Sequence, residues 1–248
     1  MKLSIITATY NSAATVADTF RSVAYQTYPD IEHIVVDGKS TDDTLPIASS
    51  FPHIKSIVSE KDNGIYDAMN KGIALCSGDV IGILNSDDFY PAPDILQKVM
   101  QQFVVTGCDA VYGNLLYVDA QNVQEVKRSW KSGEYSRNSF LYGWMPPHPT
   151  FFVKKTAYEK YGGFNLQLGS AADYELMLRF LYKHGLQVAY LPETIVHMRV
   201  GGVSNKTVKN RILANQNDRK AWEVNHLQPY FFTLYLKPLR KITQFIFK

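Results

Sequence analysis

The residues best suited to chemistry in this chain are oxygen donors placed just after apolar runs. The densest group is Asn85-Ser86-Asp87-Asp88. Hard divalent cations such as magnesium or manganese take oxygen ligands, often one or two carboxylates plus substrate phosphates. Adjacent acids can hold such an ion against a diphosphate and stabilise it as a leaving group. The simpler role for Asp87 or Asp88 is to cap the next helix or turn. Asp37 directly follows Ile34-Val35-Val36. A carboxylate there can accept hydrogen bonds from a base or ribose, or build a turn with Gly38 and Ser40. Glu60-Lys61-Asp62-Asn63-Gly64 reads as a further acidic turn, and Asp173 opens a helical stretch, a position the helix dipole favours.

The elements that must position these groups alternate. Leu3 to Ile6 is an apolar strand, and Val16, Phe20, Val23 and Ala24 recur at helical spacing. Ile34 to Val36 is a second strand, and Thr41, Asp42 and Asp43 open the next helix. Ile54 to Ser59 is a third strand, followed by a helix with Ile65, Met69, Ile73 and Cys76 on one face. Val80 to Leu84 is a fourth, and Leu96, Val99, Met100 and Phe103 mark another helix. Such alternation predicts an α/β fold with a Rossmann-like, mostly parallel central sheet and helices on both faces. Ligands bind such sheets beyond the carboxyl ends of the strands. Thr7–Asn11, Asp37–Asp43, Ser59–Asp67 and Asn85–Asp88 are those strand exits; all are polar and three carry acids. That pattern suggests a site for a cation or a polar ligand.

The second half is less regular. Ala110 to Asp119 reads as a strand, with Val123 to Arg128 as a hairpin partner. Residues 129–147 read as a loop-rich rim, Thr150 to Val153 as a strand, Tyr174 to Tyr182 as a helix, and 205–225 as mostly helical. Cys76 and Cys108 form no CxxC, so zinc and disulfide frameworks lack support. The net charge of +3 is too weak to argue for nucleic acid. No signal-peptide pattern is present, and no apolar run reaches the roughly 18–20 residues of a membrane span. The default expectation is a cytoplasmic enzyme.

Four segments taken together carry a family likeness. They are Ser4-Ile5-Ile6-Thr7-Ala8-Thr9-Tyr10-Asn11, Ile34-Val35-Val36-Asp37-Gly38-Lys39-Ser40-Thr41-Asp42, Ser59 through Gly72, and Leu84-Asn85-Ser86-Asp87-Asp88. In order and spacing this set resembles the successive motifs of family-2 glycosyltransferases. The likeness continues more weakly to about residue 205. It implies a GT-A-like fold with 1–110 as nucleotide-sugar-binding half, 111–205 as acceptor-binding and catalytic half, and 206–248 as a C-terminal helical extension. It further implies an inverting, metal-dependent transfer of a sugar from a nucleoside diphosphate sugar to a glycan or lipid-linked acceptor, in polysaccharide or surface-glycan biosynthesis.

The resemblance also places residues. Tyr10 would line the nucleobase pocket beside the Thr7–Thr9 backbone, and Asp37 would bond the base, typically uracil or guanine. Asp62 and Asn70 would lie around the nucleotide. Asn85-Ser86-Asp87 occupies the place of the family's Asp-x-Asp motif, with Asn85 replacing the first acid. Asp87 is therefore the first expected ligand for Mn2+ or Mg2+, and Asp88 the second. Asp173, in Ala171-Ala172-Asp173-Tyr174-Glu175, would be the general base, with Glu175 as fallback. His148, between Pro147 and Pro149, would line the acceptor site. His197 through Ser204 resembles a loop closing over the diphosphate, with Arg199 on phosphate and His197 completing the metal shell.

Residues 227–248 alternate apolar and aromatic side chains with Lys237, Arg240, Lys241 and Lys248. A basic amphipathic segment of this kind can lie on an anionic membrane, here the inner face of the plasma membrane, or pack on protein. A nucleotidyltransferase is the main alternative enzyme, but Thr7–Asn11 lacks the Gly-rich basic phosphate loop it would usually show. A non-catalytic sugar-nucleotide-binding module is the other alternative. A Rossmann dehydrogenase is disfavoured because no GxGxxG follows the first strand.

Overall fold

Three of the first four strands hold buried, largely apolar runs, as burial on both faces demands, whereas the third, IKSIVS, is only half-buried at the edge of the sheet. In the computed structural model the four are β1 (Leu3–Thr9), β2 (Ile31–Asp37), β3 (Ile54–Ser59) and β4 (Val80–Ile83). They pair in parallel in the order β3-β2-β1-β4. The helices between them are α1 (Val16–Ala24), α2 (Thr44–Ser49) and α3 (Ile65–Leu75). The structure describes residues 1–201, 208–240 and 244, with the backbone alone for 208–214. Gly202 to Ser204 of the expected diphosphate loop lie outside the described residues, as do 241–243 and 245–248 of the tail.

Beyond β4 the sheet turns mixed. A two-residue β5 (Asp88–Phe89) is followed by α4 (Ile95–Thr106), β6 (Ala110–Val118) and β7 (Val126–Trp130). Helix α4 buries Leu96, Val99, Met100 and Phe103, as its spacing predicts. Full burial of such side chains contributes roughly 1.5–3 kcal/mol each. Then come β8 (Phe152–Lys154), α5 (Lys155–Tyr161), α6 (Ala172–Met177), β9 (Val188–Arg199), α7 (Val208–Val224) and α8 (Thr233–Leu239). The full order is β3-β2-β1-β4-β8-β6-β9-β5, with β7 on the flank of β6. Strand β8 runs antiparallel to both β4 and β6, whereas β9 runs parallel to β6. The chain passes from the end of β4 to β5 in a few residues, although β8, β6 and β9 stand between them in the sheet. The sheet therefore curls back over the turn at 85–88.

Two differences from the sequence reading matter for the site. His197 to Arg199 end a twelve-residue strand rather than a closing loop. The hairpin strand β7 begins at Val126, so Val123 to Glu125 form the turn.

Candidate active site

On the donor side, the exits of β1, β2 and β3 are sewn together by side chains. Asp37 is fully buried, and its carboxylate accepts from Thr9 Oγ1 at 3.0 Å, Ser40 N at 2.9 Å, Ser59 Oγ at 2.7 Å and the Ser40 hydroxyl. These hydrogen bonds outweigh the cost of burial and hold its pKa below the usual carboxylate value. A carboxylate offers about four lone-pair positions. Here all are engaged, so a base could bond Asp37 only by displacing a protein donor. Thr7 is likewise turned inward, with its hydroxyl 3.0 Å from His33 Nε2.

Next to Asp37 the chain packs closely around Gly38. A Cβ on Gly38 would fall 2.4 Å from Asp62 Oδ2 and 3.4 Å from the Tyr10 ring. Glycine is what lets these three meet. Tyr10 stands 64% exposed. Asp62 also accepts from Gly64 N at 3.0 Å. Tyr10 and Asp62 are thus brought together as the sequence predicts, whereas Asn70 is not. Its amide donates to Phe164 O at 2.9 Å and accepts from Phe164 N at 2.8 Å. Asn70 is a clamp between α3 and the segment leading to α6. Gly163 permits it, since a Cβ there would sit 2.3 Å from Asn70 Oδ1.

The turn at 85–88 is held from three sides. Ser86 meets Ser12 through their hydroxyls at 2.8 Å, and its carbonyl accepts from Thr15 Oγ1 at 2.9 Å. Thr19 Oγ1 donates to Asp88 O at 2.7 Å. Arg199 donates one terminal nitrogen to Asp87 O at 2.8 Å and the other to Asp18 Oδ2 at 2.5 Å. Through these two bonds Arg199 positions the acid turn, while its Nε is buried without a partner.

The acids themselves are electrostatically unrelieved. Burial raises the pKa of Asp87, with Arg199 opposing the shift. Burial and the neighbouring Asp87 raise Asp88 further. Asn85 Nδ2 donates to Asp88 Oδ2 at 2.9 Å, yet Asn85 Oδ1 and Asp88 Oδ1 are buried without a hydrogen-bond partner. Orphaned oxygens beside paired acids fit a hard cation, which keeps waters and takes substrate phosphates, so one protein carboxylate suffices. Asp87 is the partly exposed carboxylate of this turn. Asp88, which carries one of the two orphaned oxygens, is fully buried and close to the buried Tyr90. His197 lies opposite Phe89 in the β5–β9 pair, while Asp88 lies opposite Met198. The imidazole meets the Phe89 ring edge-on. Among the described residues, no three acidic, imidazole or thiol groups converge to hold a metal ion.

On the acceptor side, Asp173 begins α6 and accepts from Tyr174 N at 2.7 Å. It lines a small pocket with His148, Phe164, Tyr158 and Ile83. The His148 ring is set by a tight turn over 148–150, entered from Pro147. Its Nε2 is buried with no partner, and burial lowers its pKa against the opposing pull of Asp173. A neutral, unsatisfied imidazole beside a carboxylate is suited to receive a hydroxyl. Glu175 is not a second base. It is buried, paired with Arg179 Nε at 2.9 Å, and bonded by Asn225 Nδ2 at 2.8 Å.

Two groups here escaped the sequence reading. The Tyr66 phenol from α3 reaches Asp173, and burial together with that charge raises its pKa. Its polar place on α3 was visible, but the partner more than a hundred residues away was not. Arg128 lies 3.9 Å over the Tyr117 ring, in a cross-strand row that runs Arg128, Tyr117, Met198, Asp88. The alternation along β7 was the available signal for it.

With this geometry in view, comparisons with known proteins become informative. The family model described as "Glycosyl transferase family 2" matches residues 4–162. The chain belongs to glycosyl transferase family 2. A family relative, the PGL/p-HBAD biosynthesis glycosyltransferase of Mycobacterium bovis, is 30% identical over 85% of this chain and 82% of its own length. An uncharacterised Mycobacterium tuberculosis glycosyltransferase is 35% identical over 71% and 68%. Among solved structures, S. aureus TarS 1–349 in complex with UDP-GlcNAc superposes with a TM-score of 0.72 at 18% identity, covering 95% of this chain and 69% of that one. The chain spans 39% of the longer TarS chain. A mannosyltransferase from Pyrobaculum calidifontis in complex with GDP-Man and Mn2+ gives 0.67 at 21% identity, covering 95% and 68%. These neighbours establish the GT-A fold of this family member.

Proposed function

We propose that this glycosyltransferase moves a sugar, with inversion, from a nucleoside diphosphate sugar to a hydroxyl of a glycan or lipid-linked acceptor. The observation that carries this reading is a shared strand end. Ile83 closes β4 and lines the pocket of Asp173 and His148, and two residues later the same strand enters the acid turn. A base pocket and an anion-anchoring turn thus adjoin.

In this reading residues 1–110 take the donor, 111–205 take the acceptor, and 206–248 form an extension. Tyr10, Gly38 and Asp62 receive the nucleoside, and Asp87 anchors the diphosphate end. A bound Mn2+ or Mg2+ supplies charge neutralisation for the leaving diphosphate. His148 Nε2 hydrogen-bonds the acceptor hydroxyl. Asp173 accepts its proton as the oxygen forms the new bond to the anomeric carbon. The bond to the diphosphate oxygen breaks on the opposite face, and its electron pair leaves with the diphosphate. One displacement inverts the anomeric centre. Arg199 holds the Asp87 turn in register throughout.

The TarS and mannosyltransferase complexes make UDP- and GDP-sugars the first donors to test. A thermal-shift panel of UDP-, GDP- and dTDP-sugars, each with and without manganese, tests the reading. One nucleotide class is expected to stabilise the protein, more strongly with the metal. A flat panel would count against the enzyme reading altogether. A lipid-linked acceptor would bring the protein to the inner face of the plasma membrane.

A further inference from the structure

The C-terminal segment carries an apolar face that the core does not use. Helix α8 docks through one side. Thr233 Oγ1 donates to Leu141 O, Leu234 is buried, and Lys237 Nζ bonds both oxygens of Asp218 at 2.7 Å. The opposite side presents Phe231, Tyr235 and Leu239, which are 86%, 65% and 55% exposed. Their spacing of four places them on one stripe of the helix and its entry. Tyr142 and Tyr230, each about half exposed, extend the patch through ring contacts with Phe232.

The charge pattern selects the occupant. From Val224 to Lys248 the sequence has Lys237, Arg240, Lys241 and Lys248 and no acid. Lys237 is held by Asp218 on the docked side, and the charge that follows the apolar stripe in sequence, Arg240, Lys241 and Lys248, is all basic; aromatic and aliphatic side chains followed by basic residues match an anionic bilayer surface. No described helix is long and apolar enough to cross a membrane, so contact by this helix is contact along a surface.

The patch is also coupled to the site. Lys237 Nζ lies 3.6 Å over the Tyr174 ring, and Tyr174 directly follows Asp173. Trp222 of α7 donates to the same Tyr174 hydroxyl at 2.9 Å. We propose that the Phe231–Tyr235–Leu239 face docks on an anionic lipid bilayer and presents the Asp173 pocket to a lipid-linked acceptor. The acceptor half of this proposal rests on the glycosyl-transfer reading; the docking half does not.

Co-sedimentation of the full chain tests it, using vesicles of mixed phosphatidylglycerol and phosphatidylcholine and vesicles of phosphatidylcholine alone. The wild type is expected to pellet with the anionic vesicles, and the F231S/Y235S double variant to partition about tenfold less. Both side chains are exposed, so the melting temperature should hold. If it falls, L239S alone gives the same comparison. Equal sedimentation of wild type and variant overturns the proposal, as does no sedimentation of the wild type. Light scattering on the same samples supplies the other arm. A wild-type dimer that becomes monomeric in the variant assigns the face to a second copy and also overturns it. The nucleotide-sugar thermal shift is read in parallel. Vesicle binding without any donor shift would sink the transfer reading while leaving the docking surface standing. A donor shift without vesicle binding does the reverse.

Discussion

The donor-side and acceptor-side halves solve the placement of functional groups differently. On the donor side each polar residue follows its own strand, and neighbouring exits are tied by short local bonds, such as those from Ser40 and Thr9 to Asp37. On the acceptor side the groups converge from distant segments. Asp173, His148 and Tyr66 come from α6, a tight turn after Pro147, and α3. The donor side therefore depends on strand register, whereas the acceptor side depends on long-range clamps. Changes on one side should spare the other side's readout, and that separation is open to attack.

The largest effect is expected at the base. Asp173→Asn should lower turnover by about 10²–10⁴ and leave donor affinity unchanged, measured by product release and calorimetry. Normal turnover would return Asp173 to a helix-start carboxylate. Asp87→Ala should act on the other side. It should cut manganese-dependent donor affinity about tenfold or more in the same calorimetry, since a hard cation loses its protein ligand. Unchanged affinity would leave the acid turn purely structural.

Asn70→Ala crosses the boundary. Losing two hydrogen bonds to a buried main chain should cost about 1–3 kcal/mol in urea unfolding, with donor affinity retained. A selective fall in donor affinity at unchanged stability would restore Asn70 to the nucleotide.

The last effect is a pH slope on the donor side, gradual at any one pH. His33 is buried against Thr7 and His53, and burial together with nearby His53 lowers its pKa from 6.5 to about 3. The unfolded chain takes up this proton first, so stability is lost as pH falls from 6.5 towards 3. The loss should approach about 1.4 kcal/mol per pH unit. Removing the imidazole in His33→Asn should flatten that part of the profile in denaturant titrations at several pH values.

These halves also differed in how much could be read from the residues. Apolar runs mark β1, β2 and β4, and alternation marks β3, so the four polar strand exits follow directly from the residues. What single runs do not encode is which hydrogen bonds a polar side chain ends up making. The family likeness placed Asn70 by the nucleotide, and the residues gave no sign that its amide clamps the main chain of Phe164. The likeness also placed Arg199 on phosphate, with no sign that β9 delivers it to Asp18 and the Asp87 carbonyl. Strand β9 itself was missed. Its pattern is interrupted by Pro192 and Glu193 where the register to β6 shifts. The Arg128 row exists only once four strands are laid side by side.

The Asn70–Phe164 clamp bears on how such proteins can be recombined. Helix α3 begins at the donor cleft, reaches Asp173 through Tyr66, and grips the acceptor half one turn later. The two halves are consequently not interchangeable cassettes. A chimera joining this donor half to another acceptor half keeps its joint only if the incoming segment offers a glycine at 163 and a main chain that residue 70 can grasp.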